Sequence, residues 1–439
     1  MMNDRLAGLS PQEKRALLVQ TLRRKSGALD KLLDRVAVNV EDLEAEAVLD
    51  PEIQPNDAST APRPERVLLT GATGFLGSFI LSELLRRTRT DVYCLVRAAD
   101  AEEGGERLRR VLRAYALWDE ELSSRIVPVV GDLSEPLLGL GPRRFGELAG
   151  KIDAVYHSGA SVNWVYPYNA LKPINVLGTQ EVLRLAAQDR VKPLHFISTL
   201  GVFPLVGRSG VQVVREDDDL DHGGPLYNGY TQSKWVAEKL VETAISRGLP
   251  GCVYRPALIT GDSRTGAWNK DDFTCKMIKT WVGLGTAPKM STEMNMVPVD
   301  YVSRAIVRLS LREGSLGERF HLANPRPVSA NDLVAWIEAF GFPLKRVPYD
   351  EWRADLLNPT KGLRHDGLYS LYSLAPLLSM SAAADGPALV GKVPEFDCRN
   401  TKEALSGTGI SCPLVDEELM ENYLVYLVRS GLLNSPTGG

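Results

Sequence analysis

Tyr230 and Lys234 stand four positions apart in the segment Tyr-Thr-Gln-Ser-Lys. Residues at this spacing lie on one face of an α-helix, so the phenol and the ammonium would meet at one site. A free tyrosine has a pKa of about 10, and a neighbouring cation should lower that pKa by favouring the phenolate. The spacing predicts that Tyr230 is a general acid and that Lys234 assists it and reaches ribose hydroxyls. On a surface helix, the same pair would simply be solvated.

A hydroxyl side chain is expected as the third catalytic group, at the end of a strand that precedes this helix. Ser198 and Thr199 both follow the short apolar run that ends at Ile197. Thr199 lies four residues before Phe203, which occupies the aromatic position that usually closes such a motif. We therefore assign Thr199 ahead of Ser198.

A glycine-rich turn with Gly71, Gly74 and Gly77 separates an apolar run from a helical stretch. Glycines at these positions allow a tight turn and a close approach of a pyrophosphate to backbone N–H groups, and the helix N-terminus adds partial positive charge. Three glycines alone would be a weak signal, but their place between a strand and a helix predicts a dinucleotide site.

Arg97 lies at the end of the second apolar run, 20 residues after Gly77. An acidic residue at this position binds the ribose 2′-hydroxyl of NAD, whereas a basic residue accommodates the 2′-phosphate of NADP. Arg97, assisted by Arg107, therefore favours NADP(H). Asp132 is expected to meet the adenine, and residues 158–160 should lie along the nicotinamide ribose.

The elements that must position these residues alternate between short apolar strands and helices from Arg66 onward. This alternation predicts an α/β fold, a Rossmann-type doubly wound parallel sheet. Beyond about Gly261 the rhythm changes, and helices are expected near 275–283, 300–312 and 330–340, which predicts a smaller, mainly helical C-terminal substrate-binding domain. The predicted strands are Val67–Thr70, Val92–Val96, Ile126–Val130, Ala154–His157, Leu194–Ser198 and Cys252–Arg255.

Four parts of the chain follow from this pattern. Residues 1–50 form a helical leader, residues 51–65 a flexible linker rich in Pro, Asn, Asp, Ser and Thr, and residues 66–265 the NADP-binding domain. Residues 266–439 form the substrate-binding domain, with 296–325 returning to the nucleotide-binding part. The leader either packs on the main domain as a helical pair or connects to a neighbouring domain or protein.

Composition excludes several classes of protein. Lys and Arg total 51 and Asp and Glu 55, a net charge of −4, with no basic stripe for a phosphate backbone, so nucleic acid is not an expected partner. The first residues carry charges where a secretory signal needs an apolar core, and no run approaches the roughly 20 apolar residues that span a bilayer. The expected location is cytoplasmic, with no membrane contact.

Several residues of types that often bind metals or transfer protons are expected to have structural roles instead. The five scattered cysteines contain no CxxC pair and predict neither a disulfide framework nor a zinc site. The acidic run Glu216–Asp221 is interpreted as a solvated loop, and no metal is expected. His157, at a strand end, should satisfy backbone groups rather than transfer protons. The loop Gly261–Gly266, in contrast, is expected to contact substrate rather than form a mere turn.

These motifs together resemble the extended short-chain dehydrogenase/reductase superfamily. More narrowly, the chain is similar to the thioester reductase (R) domains that terminate nonribosomal peptide and polyketide synthetases, and to the reductase domain of carboxylic acid reductases. The likeness covers roughly residues 41–430. Its marks, beyond the glycine turn and the Tyr230/Lys234 pair, are residues 45–51, 95–97, 157–164, 254–256, 261–266 and 297–302.

The resemblance implies an oxidoreductase that delivers hydride from NADPH to an acyl or peptidyl thioester on the phosphopantetheine arm of a carrier protein. The product would be an aldehyde, which a second hydride could reduce to an alcohol, as in the biosynthesis of secondary metabolites such as antibiotics. No carrier serine motif of the Gly-Gly-x-Ser type precedes residue 41, so the carrier should come from another protein or from an upstream region.

The resemblance also assigns site residues. Thr199, Tyr230 and Lys234 would be catalytic. Substrate contacts would come from Ser161, Val162, Asn163, Gly261 and Asp262. The cofactor would be bound by Gly71, Thr73, Gly74, Phe75, Leu76, Gly77, Arg97, Arg107, Asp132, Leu133, Ser158, Gly159, Ala160, Asn175, Tyr230, Lys234, Arg255 and Pro256.

Two other functions use the same fold. A reductase or epimerase of a nucleotide sugar or small carbonyl compound would act on freely diffusing substrates. A nucleotide-sensing regulator would typically lack the tyrosine–lysine pair, so Tyr230 and Lys234 argue against it.

Overall fold

The computed structural model describes residues 38–55, 64–164, 166–203, 210–221, 225–226, 228–290, 292–357 and 394–436. The helices predicted within the first 37 residues, most of the linker and nearly all of a Leu/Ala/Pro/Ser-rich stretch at 366–395 lie outside these residues. The strands of the described residues are β1 (Val38–Asn39), β2 (Arg66–Thr70), β3 (Asp91–Val96), β4 (Ile126–Val130), β5 (Ala154–His157), β6 (Leu194–Ile197), β7 (Val213–Val214), β8 (Pro225–Leu226), β9 (Gly251–Pro256), β10 (Leu258–Thr260), β11 (Thr286–Pro288), β12 (Glu293–Met294), β13 (Met296–Pro298), β14 (Arg319–Leu322), β15 (Val328–Ser329), β16 (Lys345–Val347) and β17 (Glu395–Phe396).

Helices follow most of these strands. They are α1 (Val40–Glu44), α2 (Phe75–Arg87), α3 (Ala101–Ala114), α4 (Gly141–Lys151), α5 (Tyr168–Lys172), α6 (Gly178–Ala187), α7 (Gly229–Ser246), α8 (Phe273–Leu284), α9 (Val299–Ser310), α10 (Ala330–Ala339), α11 (Tyr349–Leu357), α12 (Arg399–Leu405) and α13 (Glu417–Arg429). A π-helical turn, Pro173–Leu177, joins α5 to α6. The helices predicted near 275–283, 300–312 and 330–340 are confirmed as α8, α9 and α10.

Seven strands form one parallel sheet in the order β14-β9-β6-β5-β2-β3-β4. Successive strands run outward in one direction from β2 to β4 and in the other from β5 to β14. The order therefore reverses between β2 and β5, which pair directly from Val67 with Ala154 to Thr70 with His157. Ligands of such sheets bind beyond the carboxyl ends of the strands at this switch point. The predicted Rossmann-type doubly wound sheet is confirmed.

Apolar helix faces cover both sides of the sheet because buried parallel strands need apolar contacts on each face. One core joins the sheet to α4, α6 and α7, through residues such as Leu183 and Trp235. A second core joins the opposite face to α2, α3 and α9, through residues such as Ile80 and Ile306. The helix α7, which carries Tyr230 and Lys234, thus belongs to the first layer.

A third core defines the C-terminal part, which is mainly helical as predicted. It gathers α8, α10, α11 and α13 around Trp268, Trp281 and Trp352, each with no exposed surface. Residues Val299–Leu322 leave this core: α9 packs on α2, and β14 is the edge strand of the main sheet next to β9. The helix α12 also packs on β14, so the chain passes repeatedly between the two parts.

The described part of the leader is attached to the nucleotide-binding domain. Glu46 pairs with Lys172 at 2.6 Å, and Asp50 pairs with Arg184 at 2.5 Å. Arg247 donates to three carbonyls of this segment, and Ile53 is 1% exposed. The start of the predicted flexible linker, residues 51–55, is therefore anchored, because Ile53 and its neighbouring carbonyls find partners far along the chain.

Glu216 differs from the rest of the acidic run, whose Asp217, Asp219 and Asp221 are exposed as predicted for a solvated loop. Glu216 is 3% exposed, and its carboxylate accepts hydrogen bonds from the backbone N–H groups of His321, Asn400 and Thr401 and from the Thr401 hydroxyl. Burial raises the pKa of Glu216. The Glu216 carboxylate thus joins β14 to α12. A local charge pattern cannot reveal these contacts.

Three compositional expectations can be compared with the described residues. In that part of the chain, no helix is long and apolar enough to cross a membrane. Within the same ranges, no three His, Cys, Asp or Glu side chains are grouped as metal ligands would be. The five cysteines are free thiols, four of them buried and Cys412 half-buried.

A buried ion pair joins β9, the strand next to the sheet edge, to α7. Arg255 and Glu238 have no exposed side-chain surface, and their charged atoms lie 2.6 Å apart. The Ser198 hydroxyl donates to the second oxygen of the same carboxylate. Removing one partner of such a pair leaves an uncompensated buried charge, which is strongly destabilising.

Glu238→Ala should therefore lower the free energy of unfolding by about 3 kcal/mol or more, measured by urea denaturation. The matched control is Glu147→Ala, which removes an exposed carboxylate 3.4 Å from Arg143 and should cost less than about 1 kcal/mol. Equal losses in the two variants would show that the buried pair is not a structural support.

Candidate active site

The glycine turn after β2 lies against the end of β5, across the switch point. Gly71 has a φ of +77°, and a Cβ there would lie 2.7 Å from the Gly159 nitrogen. A Cβ on Gly77 would lie 2.0 Å from the Gly71 carbonyl oxygen. Only glycine fits at these positions, because backbone packs directly against backbone there.

The N-terminus of α2 is open toward this crevice. Gly74 is its exposed capping residue and offers no side chain to the first-turn N–H groups. Such uncapped groups, together with the helix dipole, bind phosphate. The turn formed by Thr73, Phe75 and Leu76 with the glycines therefore fits a dinucleotide pyrophosphate.

Two arginines meet where β3 ends. Arg97 is exposed directly after the strand, and the guanidinium of Arg107, on α3, donates to the Arg97 carbonyl. Both cations therefore stand at the place where a Rossmann fold receives the adenosine ribose. The positions agree with the expectation for a 2′-phosphate.

Asp132 and Leu133 follow β4 and complete this side of the crevice. Asp132 accepts hydrogen bonds from the Ser134 backbone N–H and hydroxyl, each at 2.9 Å, and so fixes the turn. The Leu133 side chain lies 2.5 Å from where a Cβ on Gly159 would be. Leu133 therefore lines the crevice beside Gly159.

His157 supports the crevice and does not exchange protons. Its ring nitrogens contact the hydroxyls of Thr70 at 2.7 Å and Thr179 at 3.0 Å, and the Thr70 hydroxyl accepts from the Gly159 N–H. Burial and the charge of Lys234 lower the pKa of His157 to about 3, so the ring is neutral. The partners are hydroxyls rather than the expected backbone groups.

Asn175 lies on the π-helical turn and is 1% exposed. Its side-chain amide bonds to the Ser161 N–H at 2.7 Å, to the Ser161 carbonyl at 3.1 Å and to the Ser233 hydroxyl at 2.8 Å. The predicted cofactor-binding role is not available to this side chain, because both of its ends are committed. Asn175 instead ties the loop after β5, which carries Ser158, Ala160, Ser161, Val162 and Asn163, to α7 through Ser233.

Tyr230 lies in the first turn of α7. Asn228 caps this helix by accepting from the Thr231 N–H at 2.8 Å. Gly229 lets the helix start against the backbone of residues 166–168, since a Cβ there would lie 2.4 Å from the Tyr166 carbonyl oxygen. The Tyr230 side chain is therefore carried by a rigid helix end, beside the loop that follows β5.

Lys234 is buried one turn further along the same helix. Its ammonium donates to the Ile197 carbonyl at 2.7 Å and lies 4.1 Å from the centre of the Phe196 ring. Burial lowers the pKa of Lys234 to about 7, although the charge of Glu238 opposes this shift. The ammonium is thus fixed to the end of β6, where the third catalytic group was expected.

The pKa of Tyr230 moves in the direction opposite to the one predicted. Burial raises it to about 12, because desolvation penalises the phenolate. The prediction that Lys234 lowers this pKa is wrong for this structure, in which the ammonium is engaged with Ile197. Tyr230 is consequently a neutral phenol near pH 7, the form that donates a proton.

The two candidate hydroxyls have different surroundings. Ser198 is 3% exposed and donates to Glu238, inside the buried network. Thr199 is half-buried, and its oxygen accepts from the Gly201 N–H at 3.1 Å. A hydroxyl that accepts one bond still has a proton to donate. Thr199 is thus the less buried of the two hydroxyls, and its catalytic role stays a prediction.

Three residues assigned by resemblance are committed elsewhere. Arg255 is fully buried against Glu238, so the prediction that its guanidinium binds the cofactor is wrong; Pro256 follows it as the buried last residue of β9. The Asp262 carboxylate, 2% exposed, accepts from the N–H groups of Arg264 and Thr265 in its own loop. Gly261 packs on Tyr423, whose hydroxyl donates to its carbonyl. Neither Gly261 nor the Asp262 side chain is presented for substrate contact.

Trp164 was not among the predicted site residues, although it follows them in the chain. Its ring lies 6.0 Å from the Tyr230 ring and 5.8 Å from the Phe273 ring. Phe273 begins α8 in the C-terminal part. In the sequence, Trp164 stands out only as the last residue of the resemblance motif 157–164, and nothing there points to Phe273.

Comparisons with known proteins agree with this geometry. The family described as "Male sterility protein", an NAD-binding family, matches residues 69–306. A linear gramicidin synthase protein of Brevibacillus parabrevis is 44% identical over 399 residues, which are 90% of this chain and 8% of that protein. This chain thus spans less than a tenth of that relative.

Two solved structures are similar over nearly their whole length. The terminal R domain from the myxalamid PKS-NRPS biosynthetic pathway has 46% sequence identity and a TM-score of 0.82, covering 90% of this chain and 99% of that one. The reductase (R) domain of a nonribosomal peptide synthetase from Mycobacterium tuberculosis has 26% identity and a TM-score of 0.71, covering 90% and 100%.

The lowered pKa of Lys234 predicts how the binding of a nicotinamide dinucleotide depends on pH. With a pKa of about 7, the ammonium is lost as the pH rises through neutrality rather than near 10.5. A hydrogen bond from a charged group contributes about 1.5–3 kcal/mol, so affinity for NADPH should fall roughly tenfold between pH 6 and 8.5. Fluorescence of the reduced nicotinamide measures this affinity.

Lys234→Arg should abolish this pH step, since guanidinium remains charged across the range. The control is Lys192→Arg, at a buried lysine whose pKa is lowered to about 8, and this variant should keep the step. An unchanged step in Lys234→Arg would assign the titration to another group.

Proposed function

Because this chain belongs to the NAD-binding family described as "Male sterility protein", as a reductase of the extended short-chain dehydrogenase/reductase type, we propose that it reduces an acyl or peptidyl thioester held on a carrier protein. The product is released as an aldehyde, which a second round can reduce to an alcohol. The proposal rests on one observation above all. The neutral phenol of Tyr230 lies in the first turn of the helix whose Lys234 ammonium binds the end of β6, and the half-buried hydroxyl of Thr199 follows that same strand end.

Thr199 and Tyr230 hold the thioester carbonyl by hydrogen bonds that strengthen as negative charge develops on its oxygen. The bound reduced nicotinamide supplies the hydride. Tyr230 then gives its proton to that oxygen, and the carbon–sulfur bond breaks to leave an aldehyde and the free thiol. Per round, one thioester, one hydride and one proton yield one aldehyde and one thiol. Below its lowered pKa of about 7, the Lys234 ammonium at the end of β6 supplies a positive charge to the ribose.

NADPH is the proposed cofactor rather than NADH. Arg97 is exposed at the end of β3, and Arg107 bends back over the same strand end. Guanidinium groups pair with phosphate in two-pronged, charge-assisted bonds, so a 2′-phosphate would find two cations there. An unsubstituted ribose would find no acidic partner at this position.

A carrier protein with a phosphopantetheine-tethered substrate is the proposed partner. Since the similar gramicidin synthase protein is more than ten times longer than the matched region, the carrier belongs to the same assembly line, upstream or on a separate protein. Such a substrate and NADPH are both available in the cytoplasm, which is the proposed location. Neither nucleic acid nor a membrane is a proposed partner.

The first test uses an acyl-pantetheine thioester with NADPH. Wild-type protein should form the aldehyde or alcohol, identified by mass spectrometry, with matching NADPH oxidation. Tyr230→Phe should reduce kcat by roughly 100-fold or more while NADPH affinity is largely kept, the usual scale of a general acid. Tyr168→Phe, which removes a phenol bonded to Glu46 away from the crevice, is the matched control and should keep full activity.

Turnover of free nucleotide sugars or small carbonyl compounds, with no reduction of the thioester, would instead identify the second enzyme class. Unchanged turnover of Tyr230→Phe would remove this phenol from the mechanism.

The second test concerns the 2′-phosphate. Arg97→Asp should raise KM for NADPH at least tenfold and leave KM for NADH nearly unchanged. The substitution replaces the cation that would pair with the 2′-phosphate of NADPH by a carboxylate that repels it, and NADH has no such phosphate. Arg143→Asp changes the net charge equally at an exposed site on α4 and should affect neither constant. A parallel rise for both cofactors would contradict the phosphate role.

A further inference from the structure

Three aromatic rings run from the proposed catalytic tyrosine into the C-terminal part. The Trp164 ring lies 6.0 Å from that of Tyr230 on one side and 5.8 Å from that of Phe273 on the other. We call Tyr230, Trp164 and Phe273 the aromatic row. Both ring pairs are tilted, at 45° and 33°, within the range at which aromatic pairs attract.

The loop that carries Trp164 is held at both ends. Asn175 binds the Ser161 backbone by two hydrogen bonds, and the Asn163 side chain accepts from the Tyr166 N–H at 3.0 Å. Gly229 admits the backbone of residues 166–168 against the start of α7. The indole is therefore presented by a braced loop rather than by a free one.

The part of the chain that the structure describes covers the aromatic row only partly. Trp164 and Phe273 are half-buried, whereas Trp235, Trp268 and Trp281 have no exposed surface. Beside Trp164 in the chain, Val162 is 64% exposed and Tyr166 is 53% exposed. Apolar surface that lines a cleft next to reactive groups is typical of a ligand site.

The charged group nearest in sequence to this row is already engaged. Asp272 precedes Phe273 and caps α8 by accepting from the Thr274 N–H at 2.8 Å. Phe273 itself packs against the apolar core of the C-terminal part. The wall beyond Tyr230 therefore offers ring faces rather than a counter-charge.

From this arrangement we propose that Trp164 is a specificity-determining residue, whose indole and the neighbouring Phe273 ring form the wall for a large hydrophobic acyl group. The inference deepens the proposed thioester reduction and rests on it. When the carbonyl is hydrogen-bonded to Tyr230, the acyl chain next to that carbonyl passes over the indole. Apolar surface buried there stabilises long acyl groups and does nothing for short ones.

The experiment compares octanoyl-pantetheine with acetyl-pantetheine, which share the thioester and differ only in apolar length. Wild-type protein should prefer the octanoyl substrate in kcat/KM. Trp164→Ala should lower kcat/KM for octanoyl-pantetheine roughly tenfold, the loss expected when part of the apolar contact disappears, and change that for acetyl-pantetheine less than about threefold. Trp164→Phe should restore most of the preference.

Two further measurements separate this role from a structural one. Trp118→Ala removes a half-buried tryptophan that contacts Arg109 and should leave the ratio of the two substrates unchanged. The tryptophan fluorescence of the wild-type protein should respond to octanoyl-pantetheine, and that response should be absent in Trp164→Phe. This readout does not depend on turnover.

The outcomes distinguish the two proposals. If wild-type protein reduces neither thioester, the proposed function fails. If it reduces both, and Trp164→Ala keeps the octanoyl preference or loses activity equally on both substrates, the wall assignment is overturned while thioester reduction stands. A fluorescence response that persists in Trp164→Phe would overturn it as well.

Discussion

The burial of one ammonium group organises the site. A charged lysine inside a protein costs several kcal/mol unless other groups replace its hydration. Around Lys234 those groups are the carbonyl at the end of β6, the face of the Phe196 ring and the charge of Glu238. The first two belong to β6, which Thr199 follows closely, and Glu238 belongs to α7, which carries Tyr230. The position of α7 against the end of β6 is therefore what allows the Lys234 ammonium to be buried.

The network continues behind the lysine and carries this alignment into the core. Glu238 binds Ser198 and Arg255, and the Arg255 guanidinium also donates to the Glu216 carbonyl. Glu216 in turn joins β14 to α12. A chain of buried polar contacts therefore extends from the catalytic helix to the far edge of the sheet. Networks of this kind are rigid when every member is satisfied.

A second constraint is steric and acts at the switch point. The backbones of Gly71 and Gly159 approach so closely that neither position has room for a side chain. The Thr70 hydroxyl accepts from the Gly159 N–H and contacts His157, which fixes the same approach by hydrogen bonds. The crevice expected to receive the dinucleotide lies beside this contact, beyond the carboxyl ends of β2 and β5. The loop after β5 then leads from the crevice to Trp164, and through it to the C-terminal part.

The sequence by itself determined what depends on local spacing. The alternation of strands and helices, the glycine turn and the Tyr230/Lys234 pair each depend on residues that are close together in the chain. Such local patterns were enough to predict the sheet and the three C-terminal helices. Only the tertiary structure decided which polar side chains are free. Arg255, Glu216 and Asn175 looked available in the sequence, yet their partners lie 14 to 185 residues away. Trp164 and Phe273 likewise meet although they lie far apart in the chain. A side chain's availability depends on what the folded chain places against it, and periodicity carries no information about contacts at that separation.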